Sequence, residues 1–185
     1  MNNLSETMIS SEQKFAGKIL DVRLDIIRLP DGRVAEREYV RHNGAVAIMA
    51  VKNDGSIIME EQFRYAQGRT FLEIPAGKLD FPDEDHLEAA KRELREETGA
   101  VAESMTYLGE YIPSPAILGE KIYMYLAEGL TFGETDLDDD EFINVSSYSL
   151  EELVDMVMNG EITDGKTQIA VLKLDRIRKD RQSRK

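Results

Sequence analysis

The sequence predicts one mixed α/β (α+β) domain that is preceded by a β-rich arm. Strand-like runs dominate the 185 residues, one strong helix interrupts them near the middle, and two more helices follow them. A chain of this length can bury a sizeable core, and 42% apolar with 32% charged residues is typical of a soluble globular protein. We expect the arm to span residues 1–42 and the main domain to span residues 43–185.

The arm is predicted from an alternating apolar pattern that a turn interrupts. Val22, Leu24 and Ile26 recur at every second residue, and Pro30-Asp31-Gly32 supplies turn chemistry. Residues 18–40 are therefore predicted to form an antiparallel β-hairpin. Further strand-like runs lie at 45–51, 57–59, 105–112, 122–127 and 142–148.

Capping signals mark the helices. Helices are predicted over about residues 86–98, from residue 149 to about 160, and over about residues 166–179. Asp85 is suited to cap the first of them and Gly99 to end it, while Ser149 with Glu152 forms a capping-box pattern. Leu94 belongs to an apolar stripe of the first helix that we expect to pack against a sheet.

Composition excludes several classes of function. The chain has no cysteine, which rules out disulfides and thiolate metal sites. A net charge of −13 disfavours nucleic acids and anionic membranes as partners. No apolar run reaches the length of a membrane span, and residues 1–14 lack the apolar stretch of an export signal. We therefore expect a cytoplasmic protein.

The central helix carries the residues that point to chemistry. Glu93, Glu96 and Glu97 are spaced i, i+3 and i+4, so they share one helical face. Clustered carboxylates are what hard divalent cations require. Arg92 lies four residues before Glu96 and eight after Glu84, where it can brace an acidic side chain. The spacing alone is also compatible with a solvated acidic helix that makes ordinary ion pairs.

A longer pattern decides between these readings. Residues 77–100, GKLDFPDEDHLEAAKRELREETGA, resemble the signature of the Nudix hydrolases. Residues 92–100 match its second half, and Glu84 stands at the family distance from Arg92. Gly77 stands one residue farther from Glu84 than in the family, so the intervening loop is one residue longer. The resemblance implies an α/β/α sandwich with a mixed sheet.

Other segments resemble one branch of this family, the ADP-ribose pyrophosphatases and related nucleoside diphosphate sugar hydrolases. They lie at residues 44–48, 61–64, 73–79 and 160–167. The resemblance implies metal-dependent cleavage of a pyrophosphate bond, with ADP-ribose giving AMP and ribose 5-phosphate. Ala116 replaces a glycine usual in this branch, and Asp164-Gly165-Lys166-Thr167 also occurs in GDP-mannose-cleaving enzymes, which keeps GDP-mannose as an alternative substrate. A Nudix-fold ligand sensor without turnover is an alternative of another class, but such proteins usually lose the helical glutamates.

The resemblance also implies a metal site. Glu93 and Glu97 are the leading ligands, followed by Glu96 and the backbone carbonyl of Ala76. The expected cation is Mg²⁺, with Mn²⁺ as the alternative. Glu96 and Arg92 are counted among the residues that support catalysis.

Roles outside the central helix are implied in the same way. Glu141 and Asp139, in an acidic loop, are the expected general bases. Glu120 is a further base candidate or a substrate contact. Arg64 is expected to clamp the diphosphate, because a guanidinium matches phosphate geometry. The arm resembles a dimerisation element that is exchanged between subunits, which implies a homodimer in which Tyr39 contacts the nucleobase.

Overall fold

The computed structural model describes residues 3–137 and 141–183. Its strands are β1 (Thr7–Ala16), β2 (Asp21–Arg28), β3 (Val34–Arg41), β4 (Ala45–Ala50), β5 (Ile57–Arg64), β6 (Arg69–Glu73), β7 (Ala76–Lys78), β8 (Ala100–Tyr111), β9 (Ile122–Phe132) and β10 (Ile143–Tyr148). Its helices are α1 (His86–Thr98), α2 (Leu150–Met158) and α3 (Gly165–Gln182).

The strands form three sheets. The arm is an antiparallel sheet in the order β1-β2-β3. A mixed sheet has the order β7-β4-β9-β8, in which β4 runs parallel to β9 and the other pairs are antiparallel. A third, antiparallel sheet has the order β10-β5-β6. The mixed sheet and the preceding antiparallel arm confirm the fold class that the sequence predicts.

Two apolar clusters hold the layers together. Met49 and Met59 pack in one cluster with Leu153 of α2 and Leu174 of α3. Ile48 and Ile58, their neighbours along the same strands, pack in the other cluster with Leu94 of α1. Successive residues of a strand point to opposite faces. The helices therefore cover both faces of the sheet layer, as in an α/β/α sandwich.

Local capping explains where α1 begins and ends. The side chain of Asp85 accepts hydrogen bonds from the backbone N–H groups of Leu87 (2.8 Å) and Glu88 (3.1 Å). Gly99 ends the helix in the left-handed conformation, with a φ of 69°. Leu94 is 1% exposed, which confirms that its stripe faces the core. Both predicted ends of the central helix are thus confirmed.

Several observed elements extend beyond the predicted ones. The arm gains strand β1, whose ten residues are all exposed. Strand β1 pairs with β2 through its backbone and has no buried face, so hydrophobic alternation does not reveal it. Strand β8 begins directly after Gly99, and α3 continues to Gln182. None of the helices in the described part of the chain combines the length and apolar character needed to cross a membrane.

Backbone hydrogen bonds attach the end of the arm to the main domain. The N–H of Val40 donates to the carbonyl of Ile117 at 2.8 Å, and the N–H of Gly119 donates to the carbonyl of Val40 at 2.8 Å. These bonds join β3 to the loop that precedes β9. They bring His42 and Glu120, which follow these two attachment points, to the same side of the molecule.

Candidate active site

A cleft of about 1330 Å³ opens between the end of the arm, the mixed sheet and α1. Most of the residues that the sequence singled out line it: Arg64, Ala76, Arg92, Glu93, Glu96, Glu120 and Glu141. Glu97 lies next to these residues but is 4% exposed. Tyr39 is half-buried on β3, opposite Arg23, and does not line this cleft. Asp139 lies outside the described residues.

Arg92 organises the acidic face of α1. Its Nη1 donates to Glu93 Oε1 at 2.8 Å and to Glu96 Oε2 at 3.2 Å. Its Nη2 lies 3.4 Å from Glu84 Oε1, and Glu84 Oε2 in turn accepts from the backbone N–H of Asp80 at 2.6 Å. The guanidinium therefore braces the helix and the lengthened loop together. This contact supports the placement of Glu84 in the signature.

Two carboxylates of α1 are held against the backbone of β7. Glu97 Oε2 accepts a hydrogen bond from the backbone N–H of Ala76 at 3.0 Å. A Cβ on Gly77 would overlap the carboxyl group of Glu93, so glycine at this position leaves room for that carboxyl group against β7. The segment around Ala76 and the face of α1 are consequently fixed relative to each other, with Glu93 and Glu97 directed at their junction.

This junction holds more negative than positive charge. Burial raises the pKa of Glu93 to about 7, against the effect of Arg92, and Glu96 and Glu141 raise it further. Burial also raises the pKa of Glu97, followed by the charges of Glu60, Glu93 and Glu141. Such repulsion among buried carboxylates is relieved by a proton or by a cation.

The donor set at the junction fits a hard divalent cation. It consists of carboxylate oxygens, which Mg²⁺ prefers, in a place where one carboxylate oxygen, Glu60 Oε1, is buried without a hydrogen-bond partner among the described residues. Within residues 3–137 and 141–183, no three acidic or histidine side chains already converge as a metal cluster. In their place Arg92 holds Glu93 and Glu96. Arg92 thus contacts Glu96 and Glu84, the two side chains that its spacing in the sequence placed within reach.

Glu60 is a buried carboxylate that the sequence pattern did not indicate. It lies on β5, directly after the buried run Ile57–Met59, and is 4% exposed. Burial, then Glu73 and Glu141, raise the pKa of its carboxyl group. In the sequence, Glu60 directly follows the apolar run of residues 57–59. A glutamate at such a position can be buried, but it can equally mark the exposed end of a strand.

A buried ion-pair network positions Arg64. Its Nε donates to Glu73 Oε1 and its Nη2 donates to Glu73 Oε2, both at 2.8 Å. The Nζ of Lys166 also donates to Glu73 Oε2 and lies 3.1 Å from Asp164 Oδ2. Burial would raise the pKa of Glu73, but Arg64 and Lys166 hold it below its ordinary value. The sequence analysis singled out Arg64 and missed its partner Glu73.

The motif at residues 164–167 fixes the start of α3 beside this network. Asp164 caps the helix by accepting hydrogen bonds from the backbone N–H of Thr167 at 3.0 Å and from its hydroxyl at 2.5 Å. The Thr167 oxygen also accepts from the backbone N–H of Ile74 at 3.0 Å. A Cβ on Gly165 would lie 2.6 Å from the hydroxyl of Tyr111. The motif thereby locks α3 onto the segment that follows β6.

His42, which directly follows β3, lies beside Glu120. In the structure its Nε2 lies 3.7 Å from Glu120 Oε1, and both side chains are less than one-fifth exposed. Its Nδ1 accepts a hydrogen bond from the backbone N–H of Gly44 at 3.0 Å, which favours a proton on Nε2, toward Glu120. His42 and Glu120 therefore form a pair that lines the cleft.

Comparison with known proteins places these features in a family. A NUDIX domain model matches residues 41–168, and a model of the nucleoside diphosphate sugar hydrolase N-terminal domain matches residues 6–40. The chain belongs to the Nudix family of hydrolases. The arm and the catalytic signature of this Nudix protein thus match two models that abut at residue 40.

Relatives of this Nudix protein include proteins with three different names. The chain is 42% identical over 173 residues to an ADP-ribose pyrophosphatase of Bacillus subtilis, covering 92% of this chain and 93% of the relative. It is 41% identical over 168 residues to a methanol dehydrogenase activator of Bacillus methanolicus, covering 90% of each. It is 33% identical over 138 residues to a GDP-mannose pyrophosphatase of Yersinia enterocolitica, covering 70% of this chain and 71% of the relative.

A solved structure confirms the fold over the whole length of this Nudix protein. The structure, described as an ADP compounds hydrolase, superposes with a TM-score of 0.83 and covers 98% of each chain at 21% identity. The arm as well as the sandwich is therefore a shared architecture.

Proposed function

We propose that this protein hydrolyses the pyrophosphate bond of a nucleoside diphosphate sugar, with ADP-ribose as the substrate and AMP and ribose 5-phosphate as the products. The observation that carries the proposal is one cleft with two chemically distinct walls. On one wall Glu93 and Glu96 face the cleft, with Glu97 beside them, and on the other Arg64 is presented by Glu73. A diphosphate carries the negative charge that both a cation held by the glutamates and the guanidinium of Arg64 would bind.

Glu93 and Glu97 would hold the divalent cation, with Glu96 and the carbonyl of Ala76 as the further ligands. Support comes from their junction, where buried carboxylates face one another against the backbone of Ala76. We propose Mg²⁺, with Mn²⁺ as the alternative. When bound, the cation offsets the charge of the diphosphate and lowers the pKa of a water molecule at the site.

Arg64 would bind the diphosphate. Its Nε and Nη2 are held by Glu73, while its Nη1 makes no hydrogen bond to the described residues. The two N–H groups of Nη1 are thus available to a phosphate oxygen. Arg92 has a different role, because its hydrogen bonds go to Glu93 and Glu96. It orients the acidic face of α1.

Glu141 is the proposed general base. It lines the cleft, is half-buried, and acts electrostatically on Glu60, Glu93 and Glu97, so its carboxylate lies near the acidic junction. It would take a proton from water as the water oxygen forms a bond to phosphorus and the bond from phosphorus to the bridging oxygen breaks. Asp139, in the same loop, and Glu120, beside His42, are the alternative bases.

The sugar and base would occupy the ends of the cleft. A smaller cleft of about 440 Å³ adjoins it where the arm meets the main domain, and Lys18, Ile19 and His42 line both. ADP-ribose is favoured over GDP-mannose because the relative named for it covers more of the chain at higher identity. A ligand sensor without turnover is disfavoured, because Arg92, Glu93, Glu96 and Glu97 of the signature helix are all present and contact one another or the backbone.

We also propose that the protein is a homodimer joined through its arms. Strand β1 has no buried residue, and it exposes Met8 and Phe15 by 61% and 55%. A partner subunit would cover this surface, and exchange of the arms would carry Tyr39 toward the partner's cleft. The cytoplasmic location expected from the sequence stays a prediction.

A substrate panel tests the proposed function. The purified protein is incubated with Mg²⁺ and, in separate reactions, ADP-ribose, GDP-mannose and other nucleoside diphosphate sugars, and the products are separated by chromatography. We expect AMP and ribose 5-phosphate from ADP-ribose, at the highest kcat/KM of the panel. A higher kcat/KM for GDP-mannose would contradict the substrate, and no turnover of any compound would favour the sensor.

A further inference from the structure

Glu60 is a buried carboxylate for which the described residues provide no partner. The residue is 4% exposed, and its Oε1 has no hydrogen-bond donor within residues 3–137 and 141–183. The two cations that act on it, Arg64 and Lys166, are both bound to Glu73. A buried charge of this kind is unfavourable unless a cation or a proton compensates it.

The strand register shows where this carboxylate points. Glu60 of β5 is paired directly with Glu73 of β6, so both side chains lie on one face of the sheet, with Cβ atoms about 4.5–5.5 Å apart. Ile58, two residues earlier on the same face, packs in the cluster of Leu94. Glu97 follows Leu94 by three residues on α1. Glu60 therefore faces Glu97 across the space between β5 and α1.

The positive charges on this face do not compensate all of its carboxylates. Glu73 is neutralised by Arg64 and Lys166, and Glu93 is paired with Arg92. Glu97 receives a backbone N–H but no cation among the described residues, and Glu60 receives neither. Two facing carboxylates without a counter-ion supply oxygen ligands of the kind that a hard divalent cation binds.

We propose that Glu60 contributes a carboxylate oxygen to the divalent-cation site of Glu93 and Glu97. The ligand set then includes a residue of the sheet that lies outside the Nudix signature. This inference rests on the proposed metal-dependent function and extends it. The competing explanation is a proton shared between Glu60 and Glu97, with no contact between Glu60 and the metal.

Metal binding by Glu60→Gln tests the proposal without reference to turnover. Mn²⁺ is titrated into the metal-free protein by calorimetry, and the melting temperature is measured by circular dichroism in EDTA and in Mn²⁺. Glu61→Gln is the matched control, because Glu61 is the adjacent carboxylate on β5 but is exposed. We expect Glu60→Gln to raise the Kd for Mn²⁺ at least about tenfold, because the affinity of an oxygen-ligand site follows its number of charged ligands. Glu61→Gln should bind like the parent.

Melting separates the two explanations further. In EDTA, Glu60→Gln should melt no lower than the parent, since it removes an unpaired buried charge, while its gain in melting temperature with Mn²⁺ should be smaller than that of the parent. An unchanged Kd and an unchanged gain would overturn the proposal in favour of the shared proton. If Glu60→Gln does not fold, Glu60→Met, which has no polar side-chain atom to satisfy, is measured by the same criteria. A parent that binds neither Mn²⁺ nor Mg²⁺ would contradict the proposed function itself.

Discussion

Arg64 and Glu73 are joined by two hydrogen bonds of 2.8 Å, although one side chain is 41% exposed and the other is 5% exposed. The pair connects a buried anchor to a group at the surface of the cleft. Lys166 holds the same carboxylate from the other side. A bidentate guanidinium–carboxylate pair fixes the plane of the guanidinium. The buried partners therefore determine where the free Nη1 of Arg64 points.

Replacing Lys166 tests this arrangement. Lys166→Met should raise the KM for ADP-ribose about tenfold, with kcat changed less than about threefold, which is the size expected for a weakened charge-assisted hydrogen bond. In an Arg64→Ala background the same change should have little further effect, because the two residues act through one contact. Lys173→Met, on the exposed side of α3, is the control. If the increases in KM of the two single variants multiply in the double variant, Lys166 instead binds the substrate itself.

Glu97→Gln tests the metal-binding face of α1. The substitution should lower kcat on the order of 10²-fold or more, because it removes a charged ligand while keeping the shape of the side chain. Circular dichroism should show an intact helix. Leu94→Ala, one turn earlier, is the contrasting variant, since it should cost roughly 2–5 kcal/mol in the free energy of unfolding. Near-normal turnover of a folded Glu97→Gln protein would exclude the proposed role.

Glu141→Gln separates a base from a metal ligand. If Glu141 accepts the proton, the variant should lose most of its rate at every Mg²⁺ concentration, with the half-saturating concentration unchanged. If Glu141 instead binds the cation, excess Mg²⁺ should restore part of the rate. Asp139→Asn is measured in parallel as the rival base. If both variants behave like the parent, Glu120 becomes the candidate for the general base.

The oligomeric state tests the proposed use of the arm. Light scattering of the intact chain at micromolar concentration should give twice the mass of one chain, because β1 offers an extended exposed surface. Phe15→Asp, which places a charge on that surface, should weaken the dimer. A monomeric parent protein would count against the arm as a dimerisation element.

The parts that the sequence predicted are those set by local rules. The ends of α1 follow from Asp85 and Gly99, and the side chains that share its face follow from helical periodicity. The hairpin strands β2 and β3 follow from alternation and a turn. Strand β1 was not predicted, because a strand with no buried face leaves no apolar pattern.

The missed site residues depend on contacts that are distant in sequence. Glu73 and Lys166 are 93 residues apart and meet only when α3 docks beside β6. Glu60 reads as the polar end of an apolar strand, and only the folded sheet shows that it is buried opposite Glu73. The pair of His42 and Glu120 likewise needs the arm to be attached to the loop before β9. Sequence patterns therefore indicated which residues of α1 lie together more readily than which residues of the strands do.

We propose that the acidic junction of α1 and β7 works with a divalent cation to cleave a pyrophosphate bond. The most direct measurement is the rate of AMP release from ADP-ribose by the parent protein in Mg²⁺, in excess EDTA, and in EDTA followed by excess Mg²⁺. We predict release in Mg²⁺, none in EDTA and recovery on adding Mg²⁺ back. Full AMP release that persists in excess EDTA would show that the cleavage does not need a divalent cation.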